Sequence, residues 1–197
     1  MRPRDEQKVA NIKESAVRLV VKDGIDGFSM QKLAKAAGVS PATLYIYFKD
    51  RDDLIVTLAI EAIQRMAEAT LRGFAPDMPF AEGLTIQWKN RARYWIENPL
   101  EGQFLETIRH STYHTKTFPV AQRRFSEVMG AFLKRAITNN EVVKLPLEVY
   151  WSLAFAPLYQ LIKFHQSDTG MMGWGPFQVT DAVLDQALKL VLKGLKP

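Results

Sequence analysis

AAGVSPATLYIYFKDRDDL, residues 36–54, sets a glycine turn directly before a short run carrying two tyrosines, a phenylalanine and a lysine. Glycine at position 38 takes positive φ without a Cβ penalty and so ends a helix sharply. Ser40 then offers a side-chain cap, and Pro41 takes the first helical position, where a missing N–H costs nothing. In the helix that follows, Leu44 and Phe48 stand four residues apart and point inward. Ala42, Thr43, Tyr45 and Tyr47 lie around its outside, and Lys49 follows its end. Upstream, Ser29 caps a helix that stops before Gly38. Leu33, Val39, Leu44 and Phe48 can share a core, and the small Ala34 lets the two helices cross closely. Two short helices across a glycine turn predict a helix-turn-helix. Its outer face suits a DNA groove: hydroxyls and the lysine can meet phosphates, while tyrosine rings and the Ala42 methyl can meet thymine methyls.

Outward from this stretch almost everything reads as helix. β-branched alternation and hairpin dipeptides are missing, so the predicted class is all-α, with about nine helices. The first covers about 5–23 and closes at Gly24. After the two short helices, a fourth starts at Asp50, with Asp53 in the place of a capping-box acid, and runs to about Leu71. GFAPDMP, residues 73–79, breaks the chain, and a fifth helix follows over about 80–97. Asn98-Pro99-Leu100-Glu101 opens the sixth. Pro119 opens the seventh, and Pro146 opens the eighth, which reaches about Gln166 with a kink expected at Pro157. Ser167 to Pro176 is a glycine-rich loop, either a lid or a plain connection. Thr180 caps a last helix to about Leu195. The expected division is residues 1–50 as a helix-turn-helix domain and 51–197 as a ligand-binding and dimerising body, with the fourth helix as the connection.

Charge and composition narrow the function. The chain has 197 residues and a net charge of +5. Residues 1–52 hold ten Lys and Arg against seven Asp and Glu, which makes the first quarter the basic end, a hint of nucleic acid. Arg2, Arg4 and Lys8 could form an arm reaching a minor groove, or a terminus without a role. Cysteine is absent, which removes disulfides, thiolate metal sites and cysteine nucleophiles together. No apolar stretch approaches the ~18 residues of a membrane span, and the N-terminal residues lack a signal-peptide core. The expectation is a cytoplasmic protein without a membrane partner.

The body carries one unusual pattern. On a helical projection of about 100° per residue, Phe80, Trp88 and Trp95 fall within about 40° of Leu84, and Arg91 falls inside that aromatic stripe. A guanidinium there is costly unless paired. Either a buried acid such as Glu61 or Glu106 meets it, or its head snorkels to water, or it waits for an anionic or carbonyl-bearing ligand. Trp88, Arg91, Trp95, Phe104, Phe155 and Tyr159 are the candidate ligand-binding residues. The eighth helix is apolar almost all round, which demands burial on more than one side. Glu106, His110 and His114 recur every four residues, yet without cysteine a solvated stripe is the better reading. The expectation is no metal, no cofactor and no catalytic group, because no nucleophile–base or phosphate-loop pattern occurs.

The residues Gly27-Phe28-Ser29, Leu33-Ala34, Ala37-Gly38-Val39-Ser40, Thr43-Leu44-Tyr45, Tyr47-Phe48-Lys49 and Leu54 closely resemble the tetracycline-repressor (TetR) family over roughly residues 10–55. The resemblance implies a dimeric transcription regulator, usually a repressor released from a palindromic operator by a small molecule, with the last two helices making the homodimer. It places Thr43, Tyr45, Tyr47 and Lys49 at positions that commonly meet DNA, and Gln31 and Ser40 as phosphate or base candidates. Tyr45 has a second reading as part of a hydrophobic interface. Two other classes remain alongside: a helical enzyme that transforms a small molecule in the aromatic pocket, and a protein-interaction module without specific DNA binding.

Overall fold

A computed structural model describes residues 3–121, 123–167 and 170–197. Among them eleven α-helical segments occur and no strand: α1 Pro3–Gly27, α2 Met30–Ala37, α3 Pro41–Tyr47, α4 Arg51–Thr70, α5 Phe80–Glu97, α6 Pro99–Arg109, α7 His114–Ala121, α8 Arg123–Thr138, α9 Leu147–Ala154, α10 Ala156–His165 and α11 Asp181–Gly194. The all-α expectation holds. Packing divides the chain into two compact units. One comprises Met1–Arg65 with Leu100–Gln122, the other Met66–Pro99 with Arg123–Pro197. The division falls inside α4, which is one continuous helix.

Local chemistry explains where helices stop. Gly24, at φ 73, breaks the helical path of α1 where the sequence expects the end. The expected eighth helix is two helices, α9 and α10, parted at Phe155 (φ −126, ψ −25). Pro157 causes this: it has no N–H for the Leu153 carbonyl, and its ring crowds that carbonyl. The seventh helix does not open at Pro119, which lies inside α7. The Ser111 hydroxyl donates to the Ile108 carbonyl (2.8 Å) and accepts from the Tyr113 N–H (3.1 Å), so the turn is made early and helix restarts at His114. Glu106 thereby lies on α6, His110 just past its end and His114 at the start of α7. His110 Nε2 lies 3.3 Å from Glu106, while the His114 ring packs on Phe118 at 4.6 Å.

The first unit is stabilised by an apolar stripe of α1. Ile12, Ala16 and Val20, four residues apart, are wholly buried, as are Leu33, Leu44 and Leu54. α1 packs on α2 and α2 on α3. The core of the second unit is aromatic. Phe80, Leu84, Trp88, Phe132, Tyr150, Phe155, Leu158, Leu184 and Leu188 form one buried cluster. The Phe80 and Phe132 rings stack at 5.7 Å. The N–H of Phe80, unpaired within its own helix because it is in the first turn, donates to Glu141 Oε2 at 2.6 Å. That bond, more than the neighbouring Arg135 charge, holds the Glu141 carboxyl below its ordinary value.

Gly83 is the fourth residue of α5, where glycine still weakens a helix relative to alanine. Its reason is space: a Cβ there would stand 2.5 Å from Phe132 Cε2. Gly83→Ala is therefore expected to lower stability by about 1–3 kcal/mol, despite the better helix former, because Phe132 must be displaced. Chemical denaturation measures this, and a stabilised variant would show that the ring moves freely.

Candidate functional site

The helix-turn-helix is built as its capping residues dictate. The Ser29 hydroxyl accepts the Lys32 N–H at 3.2 Å and starts α2. Gly38 is left-handed at φ 65, and the Gly38 and Val39 N–H groups bond back to the Lys35 and Ala34 carbonyls. This double closure turns the chain within two residues. Ser40 Oγ then accepts the Thr43 N–H at 3.2 Å, and its hydroxyl lies 2.9 Å from the Thr43 hydroxyl. Ser40 is thus committed first to capping α3.

The burial of α3 separates its faces. Leu44 is fully buried and Phe48 nearly so. Gln31, Ala42, Tyr45 and Lys49 are exposed, while Thr43 and Tyr47 are half-buried. Tyr45 is 55% exposed, which removes its reading as an interface residue within this chain. Lys49 joins no ion pair among the described residues, so its ammonium is open to a phosphate. Sequence reasoning missed Ile46, which at 75% exposure is the most prominent apolar group of α3. The signal was present: an isoleucine two residues from the inward Leu44 and Phe48 points away from both. Arg2, and the side chain of Arg4, lie outside the described residues, and Lys8 is exposed on α1.

A second element lies beneath the motif. Arg51, at the start of α4, donates from Nε to the Phe28 carbonyl (3.2 Å), from Nη2 to the Ile25 carbonyl, and from Nη1 to the Tyr113 hydroxyl (3.3 Å). Tyr113 in turn donates to Asp52 Oδ1 at 2.5 Å. Burial, then this bond to the Asp52 carboxylate, pushes the Tyr113 phenol up to about 12. The phenol therefore keeps its proton and remains a donor. Arg51 ties the α1–α2 connection, α4 and the segment before α7 to one another, all within the first unit. No sequence signal marks it, because its partners are distant in sequence.

The candidate ligand residues fall in both units. Phe104 is fully buried in the first. Trp88, Arg91, Trp95, Phe155 and Tyr159 belong to the second. The Trp88 N–H donates to the Ala154 carbonyl at 2.8 Å, a group left open where α9 ends. Arg91 is 2% exposed, so its head does not snorkel. Nor does an acid meet it: Glu61 pairs with Lys13 at 2.5 Å and Glu106 with Arg109 and His110. Among the described residues no carboxylate pairs with Arg91. Its Nη1 donates to the Tyr159 hydroxyl and its Nη2 to Gln87 Oε1, both at 3.1 Å. Gln87 is oriented by its own donation to the Thr70 carbonyl, the end of α4, at 2.8 Å. The guanidinium carbon stands over the rings of Phe155 (4.7 Å), Phe125 (5.2 Å) and Trp151 (5.5 Å).

Residues 12–58 match the family model described as bacterial regulatory proteins, tetR family. An HTH-type transcriptional regulator of Haemophilus influenzae is 35% identical over 82 residues, which are 42% of this chain and 44% of that protein. The matched part therefore spans less than half the length of that relative. The crystal structure of a TetR family transcription regulator from Marinobacter aquaeolei VT8 superposes with a TM-score of 0.85 at 28% identity, over 99% of this chain and 98% of that one. The transcriptional regulator FadR of Bacillus subtilis, solved in complex with stearoyl-CoA, shares the fold at a TM-score of 0.71 and 18% identity, over 95% and 99% of the two chains.

Proposed function

We propose that this chain, whose residues 12–58 match the tetR family model and whose fold superposes on that of a TetR family regulator, is a DNA-binding transcription regulator, a repressor released from its operator by a small molecule. The observation that carries this is α3: a helix capped at Ser40, anchored by Leu44 and Phe48, and presenting Ala42, Tyr45, Ile46 and Lys49 to solvent. In this reading residues 1–50 bind DNA and 51–197 sense the ligand and dimerise. Gln31, Ser40, Thr43 and Tyr47 complete the DNA-facing set. Trp88, Arg91, Trp95, Phe155 and Tyr159, all of the second unit, serve the ligand. The proposal includes no chemistry on that ligand, and it places the protein in the cytoplasm. No helix among the described residues is long and apolar enough to cross a membrane.

A homodimer through the last two major helical segments is part of the proposal. In support, α9 exposes Leu147, Val149, Trp151 and Leu153, and α11 exposes Leu190 at 68%. Leu147 and Trp151, four residues apart, share one side of α9, and Val149 and Leu153 share another. Exposed apolar groups on so short a helix favour burial against a second copy. Two α3 helices about 34–36 Å apart would then read successive major grooves of a palindrome. Release follows if the ligand binds better to a state with another spacing. The α4 helix is suited to carry that change: its start is held by Arg51 and its end accepts hydrogen bonds from Gln87 and Asn90.

The test is an electrophoretic shift with genomic fragments, followed by a salt titration on the selected duplex. Affinity is expected to fall by orders of magnitude between about 50 and 200 mM salt as phosphate contacts release counterions. Lys49→Ala is expected to weaken all sequences alike and to reduce the salt slope by about one. Equal affinity for every fragment, or a flat salt response, removes operator recognition.

A further inference from the structure

Arg91 and its surroundings form a buried set of donors with too few acceptors. Arg91 and Tyr150 are 2% and 3% exposed. Arg91 Nε, the Tyr150 hydroxyl and Trp95 Nε1 are each buried without a hydrogen-bond partner among the described residues. Tyr159 accepts from Arg91, which leaves its own proton to give. Its ring meets Trp95 edge-on at 5.9 Å, and Tyr150 meets Phe155 edge-on at 6.3 Å, so one aromatic cluster carries all four groups. Burial raises the Tyr150 phenol well above its ordinary value, while the Arg91 charge pulls the other way. The phenol is thus a neutral donor beside a cation. A buried cation without a counter-ion is an unstable arrangement, and cation–π contacts with three rings relieve it only in part.

We infer that this cluster is the head-group subsite for a monoanionic carboxylic acid with an apolar body. The inference rests on the ligand-responsive reading above and names the class of ligand. One fixed positive charge surrounded by neutral donors matches one negative charge. A guanidinium with a free Nε–H offers the planar fork that a carboxylate fills. A phosphate dianion would need a second cation, and none of the described contacts supplies one. The rings of Phe125, Trp151 and Phe155, which pack on the guanidinium, and of Trp95 beside Tyr159 make apolar surroundings that suit an alkyl or aromatic body. The open groove of 1180 Å³ lined by Phe80, Asp185, Leu188 and Lys189 lies elsewhere and lacks this donor set.

The experiment compares melting temperatures of wild type and of Arg91→Met and Arg91→Lys in the presence of straight-chain and aromatic monocarboxylates. The matching primary amides and methyl esters are run in parallel. Carboxylates are expected to raise the wild-type melting temperature, and the neutral analogues to leave it unchanged. Arg91→Met, folded by circular dichroism, is expected to bind the same acids about 10- to 100-fold more weakly, the loss of a charge-assisted pair. Arg91→Lys recovers part of that affinity, because an ammonium keeps the charge without the fork. The inference is overturned if no acid shifts the wild type, if amides and esters shift it equally, or if Arg91→Met binds the acids unchanged. Should Arg91→Met fail to fold, Tyr150→Phe and Trp95→Phe take its place: each deletes one orphan donor and must weaken acid binding several-fold. DNA release is scored separately. Acid binding without any operator shift would remove the regulatory reading and leave the subsite standing. Operator binding that no acid affects, together with flat melting curves, would do the reverse.

Discussion

Ile46→Asp is expected to lower operator affinity by roughly 100-fold or more, from about 1–3 kcal/mol of lost groove contact compounded by a negative charge turned toward phosphates. Melting temperature should hardly change. Ile46 is 75% exposed, and substitutions at such positions stay within about 0.5 kcal/mol. The direction follows from helix geometry. Leu44 is wholly buried in the motif, so Ile46, two residues on and about 200° around the helix, stands on the opposite side. Ala42 and Thr43 lie to either side of Ile46, and in the proposed reading these three compose the surface turned to a groove. Ile46→Val keeps an apolar contact and should cost far less. Binding is measured by fluorescence anisotropy on the selected duplex at fixed salt. An Ile46→Asp variant that binds like wild type would mean that another surface faces the DNA.

Trp88→Ala is expected to destabilise the second unit by about 3–5 kcal/mol, a large share of a typical domain's stability. Trp88 is fully buried within the aromatic cluster, and no exposed edge limits the cavity its removal would leave. Trp88→Phe separates packing from polarity. It keeps most of the volume but strands the Ala154 carbonyl, which now accepts the indole N–H at 2.8 Å. An unsatisfied buried carbonyl costs about 1–3 kcal/mol, so the phenylalanine variant should fall between wild type and alanine. Urea titration reads both. If Trp88→Phe matches wild type, the α9–α10 break satisfies Ala154 by another route.

Much of this molecule is legible without coordinates because short-range chemistry decides it. Ser29, Gly38, Ser40 and Pro41 act on their own backbone neighbours, and the ends of α2 and α3 lie where those residues place them. Gly24 and Pro157 interrupt their helices for the same local reason. The inward pair Leu44 and Phe48 follows from spacing alone. Ser111 was harder: its hydroxyl pre-empts Pro119 as the point where a helix begins, and competition between two local signals is not settled by either one.

Arg91 marks the limit. Its place within an aromatic stripe of α5 is a property of the sequence, but three outcomes were equally compatible with it. Only the tertiary arrangement chose, because a counter-ion is a matter of distance in space. Glu61 is claimed by Lys13 and Glu106 by Arg109 and His110, while Phe155 and Tyr159 are brought to the guanidinium by packing of α5 against α10, and Gln87 stands one turn back on α5 itself. The Arg51–Tyr113–Asp52 set was invisible for the same reason, since 62 residues separate Arg51 from Tyr113. The sequence alone thus determined the helix-turn-helix and the all-α class, where each cause lies within a few residues of its effect. The tertiary structure decided which buried polar groups have partners and which are left without, because hydrogen bonds and charges are satisfied across the fold and not along the chain.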